Sequence, residues 1–162
     1  MKTAIITGGG RAVLKDGSCG SIGYGIATAY AKEGCNLVIT GRDAQKLADA
    51  KEELERLYAI KVLTFVANIR KEADSEAIVE AVVKETIDTF GRIDVLINCA
   101  QASEAGIPLA VHTTEQFDLA IYSGLYGAFY YMKACYPYLV ETKGSVINFA
   151  SSAAMSGGIG QA

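Results

Sequence analysis

Short apolar runs rich in β-branched residues alternate with longer stretches of helical periodicity, and this alternation restricts the fold more than any other feature. Ala4-Ile5-Ile6, Leu37-Val38-Ile39, Val62 to Val66, Val95-Leu96-Ile97 and Val146 to Phe149 are continuous apolar segments, as expected of strands covered on both faces. Helices are expected between them at about 22–34, 43–58, 72–90 and 114–141. In the second of these, Leu47, Ala50, Leu54 and Leu57 share one side; in the third, the stripe through Ile78, Val82, Glu85 and Thr89 is more polar. Thr113, with Gln116 three positions on, makes a capping box for the fourth. Strands alternating with helices and joined by right-handed crossovers give a doubly wound parallel α/β sheet. No repeat or low-complexity linker interrupts the pattern, so residues 1–162 are read as one domain. Ligands of such sheets bind beyond the carboxyl ends of the strands, at the switch point between strands 1 and 4.

Composition narrows the choice of ligand. The 162 residues carry a formal net charge of -3, without the basic face that a nucleic acid or an anionic membrane requires. The expected partner is a small molecule. Four cysteines at 19, 35, 99 and 135 include no C-x-x-C pair, and His112 is the single histidine, so neither a metal site nor a disulfide framework is expected. The apolar run at the N-terminus is too short for a signal peptide, and no stretch reaches the roughly 18 apolar residues of a membrane span. A reducing, cytoplasmic setting with free, mostly buried thiols follows as the expectation.

The first strand runs into Thr7-Gly8-Gly9-Gly10, and a helix opens near Gly20-Ser21-Ile22-Gly23. A strand, a glycine turn and a helix N-terminus suit a pyrophosphate: small residues permit close backbone approach, and free N–H groups with the helix dipole favour an anion. The strict G-x-G-x-x-G spacing is absent. Arg11 and Lys15, in the polar stretch that follows, either approach a phosphate or stand as solvated surface charges. After the second strand, Gly41-Arg42 places an arginine where a carboxylate would select the ribose 2′-hydroxyl of NAD. Arginine suits a 2′-phosphate, so NADP(H) is favoured over NAD(H).

With these residues in view the chain resembles the short-chain dehydrogenase/reductase family. That family's T-G-x-x-x-G-I-G turn is matched by Thr7-Gly8 and Ile22-Gly23, with Ser21 at the middle glycine. Twelve residues, Gly9 to Gly20, separate Gly8 from Ser21 where three are usual. Ser21-Ile22 followed by Gly25-Ile26-Ala27 is instead similar to the enoyl-thioester reductase branch. The resemblance implies a Rossmann-type sheet of order 3-2-1-4-5, five of the family's seven strands. It further implies cofactor contacts at Gly8, Ser21, Ile22, Gly23 and Arg42. Asn68-Ile69 falls where the family has the Asp-Val pair that contacts adenine. Asn98-Cys99-Ala100-Gln101 resembles N-N-A-G, which carries over a fold role for Asn98 and a ribose contact for Ala100, while Gln101 narrows the site. Cys99 is read as a small, buried apolar residue.

For catalysis the resemblance implies Ser151 as the serine that orients a carbonyl oxygen, with Gln161 ten residues on matching S-x9-Q-A. The family's Tyr-x-x-x-Lys pair would begin beyond Ala162, and no tyrosine here has a lysine four residues later in a suitable place: Tyr58 is followed by Val62 and Tyr138 by Thr142. The 162-residue chain is therefore expected to be inactive by itself. The family's helix motif is matched by Phe117, Asp118, Leu125, Gly127 and Phe129, with Gly124 at its asparagine. Tyr122, Tyr126 and Tyr130 recur on that helix, which the family uses to form a homodimer or homotetramer; internal packing is the other reading of the stripe. The implied activity is hydride transfer between nicotinamide and a carbonyl or hydroxyl substrate such as a 3-oxoacyl thioester. An enoyl-thioester reductase and a non-catalytic cofactor-binding fragment are the alternatives.

Overall fold

The computed structural model describes residues 1–18 and 20–157. Five strands, β1 (Thr3–Thr7), β2 (Asn36–Gly41), β3 (Val62–Val66), β4 (Val95–Asn98) and β5 (Ser145–Asn148), form one sheet of order β3-β2-β1-β4-β5. Every pairing is parallel. Helices α1 (Ile22–Lys32), α2 (Ala44–Leu57) and α3 (Ser75–Phe90) connect the first four strands. The connection from β4 to β5 runs through α4 (Thr114–Ala120), a π-helical turn (Ile121–Tyr126) and α5 (Gly127–Thr142), and the short α6 (Ala153–Ser156) follows β5.

The period-two alternation of strand side chains divides the core into two layers. Ala4 and Ile6 of β1, Leu37 and Ile39 of β2 and Ile97 of β4 meet Tyr24, Ala27 and Ala31 of α1 and Leu47, Ala50 and Leu54 of α2. On the opposite face Ile5, Val38 and Leu96 meet Val79, Val82 and Val83 of α3 and Tyr131, Cys135 and Leu139 of α5. Central strands are thus apolar on both faces, which is why they read as continuous runs. β5, at the edge, is exposed at all four positions.

Helix ends follow local chemistry. Asp43 caps α2 through the N–H groups of Gln45 and Lys46, and Leu57, in the last turn, is exposed where the apolar stripe of that helix predicted burial. The helix expected from 72 begins at Ser75, because Asp74 caps it and the Ser75 hydroxyl bonds back to Arg70. Its buried face is Ser75, Val79, Val82, Val83 and Thr86; Glu85 and Thr89 face outward. Gly91 ends α3 at φ 72°, a left-handed conformation that glycine adopts without strain. The Thr113–Gln116 capping box is present in both directions. Among the described residues no helix is long and apolar enough to cross a membrane.

Candidate functional site

The carboxyl ends of β1 and β4 are stapled by one hydroxyl. Thr7 Oγ1 accepts from the N–H groups of Cys99 and Ala100 at 3.0 and 2.9 Å. This draws Gly8, at φ 74°, so close to Ala100 that a Cβ on Gly8 would lie 3.2 Å from the Ala100 Cα. Across the turn, Gly23 in the first turn of α1 faces the Gly8 carbonyl, and a Cβ there would overlap the carbonyl oxygen and carbon. Strand and helix therefore meet backbone to backbone. Ser21 caps α1, its hydroxyl accepting from Tyr24 N–H at 3.4 Å, and no acidic residue stands in the first turn to repel an anion.

Above this junction opens a cleft of about 990 Å³. Gly8, Ser21, Ile22, Gly23, Arg42, Ile69, Asn98 and Ala100 all line it. Asn68 does not: Ala67 and Ile69 turn toward the cleft on either side, and Asn68, between them, is exposed. Asn98 is buried, its Nδ2 donating to Asn148 Oδ1 at 2.8 Å, which ties the ends of β4 and β5 together. Ser151 is exposed three residues beyond β5, its Oγ accepting from Ala153 N–H at 3.2 Å. Asn148 and Phe149, just before it, belong to the cleft wall. Gln161 and Cys19 lie outside the described residues.

A second, open depression adjoins the first at Gly8, Ser21, Gly41 and Arg42 and includes Lys46. Lys46 escaped the sequence reading; its only signal was a position four residues past Arg42, at the start of a helix. The glycine turn positions it, since Arg11 N–H donates to the Lys46 carbonyl at 2.9 Å and Gly10 lies against the Lys46 Cβ. The Arg11 side chain is turned elsewhere, its Nε donating to Glu53 of α2, and that bond raises the guanidinium pKa. Of the two cations considered for a phosphate in this loop, Arg11 is thus engaged by a carboxylate.

Two tyrosines near the site have displaced ionisation. Tyr131 lines the cleft, and burial pushes its phenol up to about 12. Tyr24 is also raised to about 12, by burial first and then by its bond with Glu53. Both keep their protons at neutral pH, the reverse of what an acid–base phenol needs. Cys99, half-buried in the cleft wall, is likewise raised by burial, so its thiol stays protonated and behaves as a small apolar group.

The short chain dehydrogenase family model matches residues 2–162. The chain belongs to the short-chain dehydrogenase family. It is 62% identical over 160 residues to the 12alpha-hydroxysteroid dehydrogenase of a Clostridium species, matching 99% of this chain and 59% of that protein. It is 36% identical over 152 residues to a substituted succinyl-CoA dehydrogenase subunit, BbsD, of Thauera aromatica, matching 93% of this chain and 58% of that one. Among solved structures, an alcohol dehydrogenase of the archaeon Thermococcus sibiricus complexed with 5-hydroxy-NADP superposes with a TM-score of 0.85 at 25% identity, covering 99% of this chain and 63% of that one. The chain thus spans about three fifths of the length of these relatives.

Short-chain dehydrogenases bind NAD or NADP, and the residues here fit that cofactor. The Gly8–Gly23 contact, with no room for a Cβ, brings the N-terminus of α1 against the end of β1 with no side chain between them, and free N–H groups at a helix N-terminus suit a pyrophosphate. The short-chain dehydrogenase family is one of oxidoreductases that act on small molecules.

Proposed function

We propose that the protein is an NADP(H)-dependent dehydrogenase that interconverts a secondary alcohol and a ketone on a bulky apolar substrate of the hydroxysteroid class. The observation that carries this reading is the Gly8–Gly23 junction opening onto a large cleft whose rim holds Arg42 and Lys46. When bound, the nicotinamide supplies or receives the hydride. Everything else falls to the chain. Gly8, Ser21, Ile22 and Gly23 receive the pyrophosphate, and Arg42 and Lys46 receive the 2′-phosphate, a guanidinium and an ammonium converging on one dianion. Asp43 stands beside them, its Oδ1 occupied by the two N–H groups it caps and its Oδ2 3.9 Å from Lys46 Nζ, an exposed pair that a 2′-phosphate would have to compete with.

Ile69 borders the adenine side and Ala100 the nicotinamide ribose. Asn98 holds the ends of β4 and β5 in register, so that the segment leading to Ser151 is fixed relative to the cofactor. Ser151 would donate a hydrogen bond to the substrate carbonyl oxygen, where negative charge develops as hydride arrives, and the resulting alkoxide takes one proton from a general acid, in this family the tyrosine of Tyr-x-x-x-Lys. The steroid reading comes from the 62% identity to the Clostridium hydroxysteroid dehydrogenase. It is supported by the apolar wall that Ile121, Leu125, Phe129 and Phe149 give the cleft. Exposed Phe117, Tyr136 and Val140 along α4 and α5 suit this helical region to the contact of a homodimer or homotetramer.

The test is consumption of NADPH by the full-length protein in the presence of a 12-oxo steroid, with Ser151→Ala as the control. We expect steroid-dependent turnover that falls about 100-fold in the variant while NADPH still binds. Turnover that survives Ser151→Ala unchanged contradicts the assignment of that hydroxyl. NADPH binding with no turnover of any oxo-steroid contradicts the substrate class.

A further inference from the structure

The helical connection from Thr114 to Thr142 carries its π turn where it passes the cleft. Turns of this kind gather at functional sites, because the extra residue re-aims the neighbouring side chains and backbone. Gly124 lies in the turn, and a Cβ built on it would stand 3.5 Å from Cγ, 3.9 Å from Cδ and 4.0 Å from Nε2 of Gln101. The Gln101 side chain therefore rests against bare backbone and takes the space a larger residue at 124 would claim. Its loop is fastened at the next residue: Ser123 Oγ accepts from Ala102 N–H at 2.9 Å and donates to the Leu119 carbonyl at 2.6 Å.

Two polar groups on this wall, Asn98 Oδ1 and the Tyr131 hydroxyl, are buried without a hydrogen-bond partner among the described residues; others are engaged. Asn98 is bonded to Asn148, the Asn148 amide faces the Met132 sulfur at 3.6 Å, and the Ser123 hydroxyl is engaged with backbone. Among the described residues the Gln101 carboxamide forms no hydrogen bond. It is an exposed group with both donor and acceptor, set beside Ile121 and Leu125 in a mostly apolar recess. In such recesses a few placed polar groups decide orientation and selectivity.

We propose that Gln101, seated on Gly124, is a specificity-determining residue whose carboxamide hydrogen-bonds a hydroxyl or carbonyl that the substrate carries away from the carbon undergoing hydride transfer. The inference rests on the oxidoreductase reading above and refines its substrate class to polycyclic molecules with a second polar substituent. Gly124 serves it by leaving room, so the two positions act together.

The experiment compares full-length wild type, Gln101→Leu and Gly124→Leu with two probes: an oxo-steroid bearing one further hydroxyl, and the same steroid without it. NADPH affinity is measured alongside as a report on folding and on the cofactor site. Gln101→Leu keeps the bulk and removes the hydrogen bond; a Cβ at 124 alone would stand at ordinary contact distance from Gln101, so Gly124→Leu, which reaches beyond it, is used to displace that side chain. The expected result is that Gln101→Leu lowers kcat/KM about tenfold more for the hydroxylated steroid than for its analogue, chiefly through KM. Gly124→Leu moves selectivity in the same direction, and NADPH affinity stays within about threefold of wild type. Equal losses on both steroids, or none, with NADPH affinity intact, overturn the role of Gln101. Wild-type protein that binds NADPH yet reduces neither steroid overturns the substrate class proposed above, and this inference with it.

Discussion

At the scale of single residues the site depends on what Gly23 lacks. Replacing a helical glycine by alanine ordinarily stabilises a helix by about 1 kcal/mol. Here the added Cβ would overlap the Gly8 carbonyl, and relief requires moving the strand-to-helix turn. Gly23→Ala is therefore expected to destabilise by about 2 kcal/mol and to weaken NADPH binding at least tenfold, about 1.4 kcal/mol; thermal melts and a cofactor titration check both. A variant with raised stability and unchanged affinity would contradict the backbone-to-backbone account of the junction. The glycines were legible in the sequence because only a turn pressed against backbone or a bound anion calls for so many at a strand end. Partners distant in sequence were not. Nothing near Arg11 announces that its side chain bonds to Glu53, 42 residues on, and the outward turn of Asn68 depends on how the chain leaves β3. Lys46 and the Gln101–Gly124 contact were missed for the same reason: each is made by two elements meeting.

Among the elements, β1, β4 and β5 are joined at their amino ends by Asp94. Its Oδ2 accepts from Thr3 N–H at 2.8 Å, its own N–H donates to the Thr3 carbonyl at 2.9 Å, and its carbonyl accepts from Ser145 N–H at 2.9 Å. Arg92 adds two further bonds to the carboxylate. Burial alone would raise this carboxyl, but the bonds from Arg92 and Thr3 outweigh it and hold the pKa below the ordinary value. A carboxyl so depressed adds stability that is complete above its unfolded pKa, near 3.9, and is lost as pH falls through the lower folded value. Asp94→Asn is accordingly expected to cost about 1.5 kcal/mol at pH 7, read as a lower urea midpoint, with the difference shrinking toward pH 3. A deficit of equal size at both pH values would show that the charge of Asp94 is not what joins the strands. The strands and three connecting helices were read close to their observed bounds, since apolar runs and caps are local signals. The π turn at Ile121–Tyr126 was not. The periodicity of 114–141 is that of one continuous helix, and the bulge becomes visible only where Gly124 and Ser123 meet the β4 loop.

For the whole molecule, the sheet order set by right-handed crossovers brings the ends of β1 and β4 together, and the cleft opens there as the switch-point rule requires. The family and its fold were thus legible in the alternation of segments and in the glycine turn, and the family match over residues 2–162 agrees. The assignment of Ser151 rests on the resemblance alone, because a serine after a strand has no local pattern that marks it as catalytic. On the proposed reading, a nicotinamide cofactor with a 2′-phosphate would be held at the Gly8–Gly23 junction and by the cations Arg42 and Lys46. The most direct measurement is the dissociation constant of NADPH and of NADH for the full-length protein and for Arg42→Ala, followed by cofactor fluorescence. The account predicts that wild type binds NADPH at least tenfold more tightly than NADH, and that Arg42→Ala removes most of this preference by weakening NADPH alone. Equal affinity for the two cofactors in the wild type, or no binding of either, would contradict it.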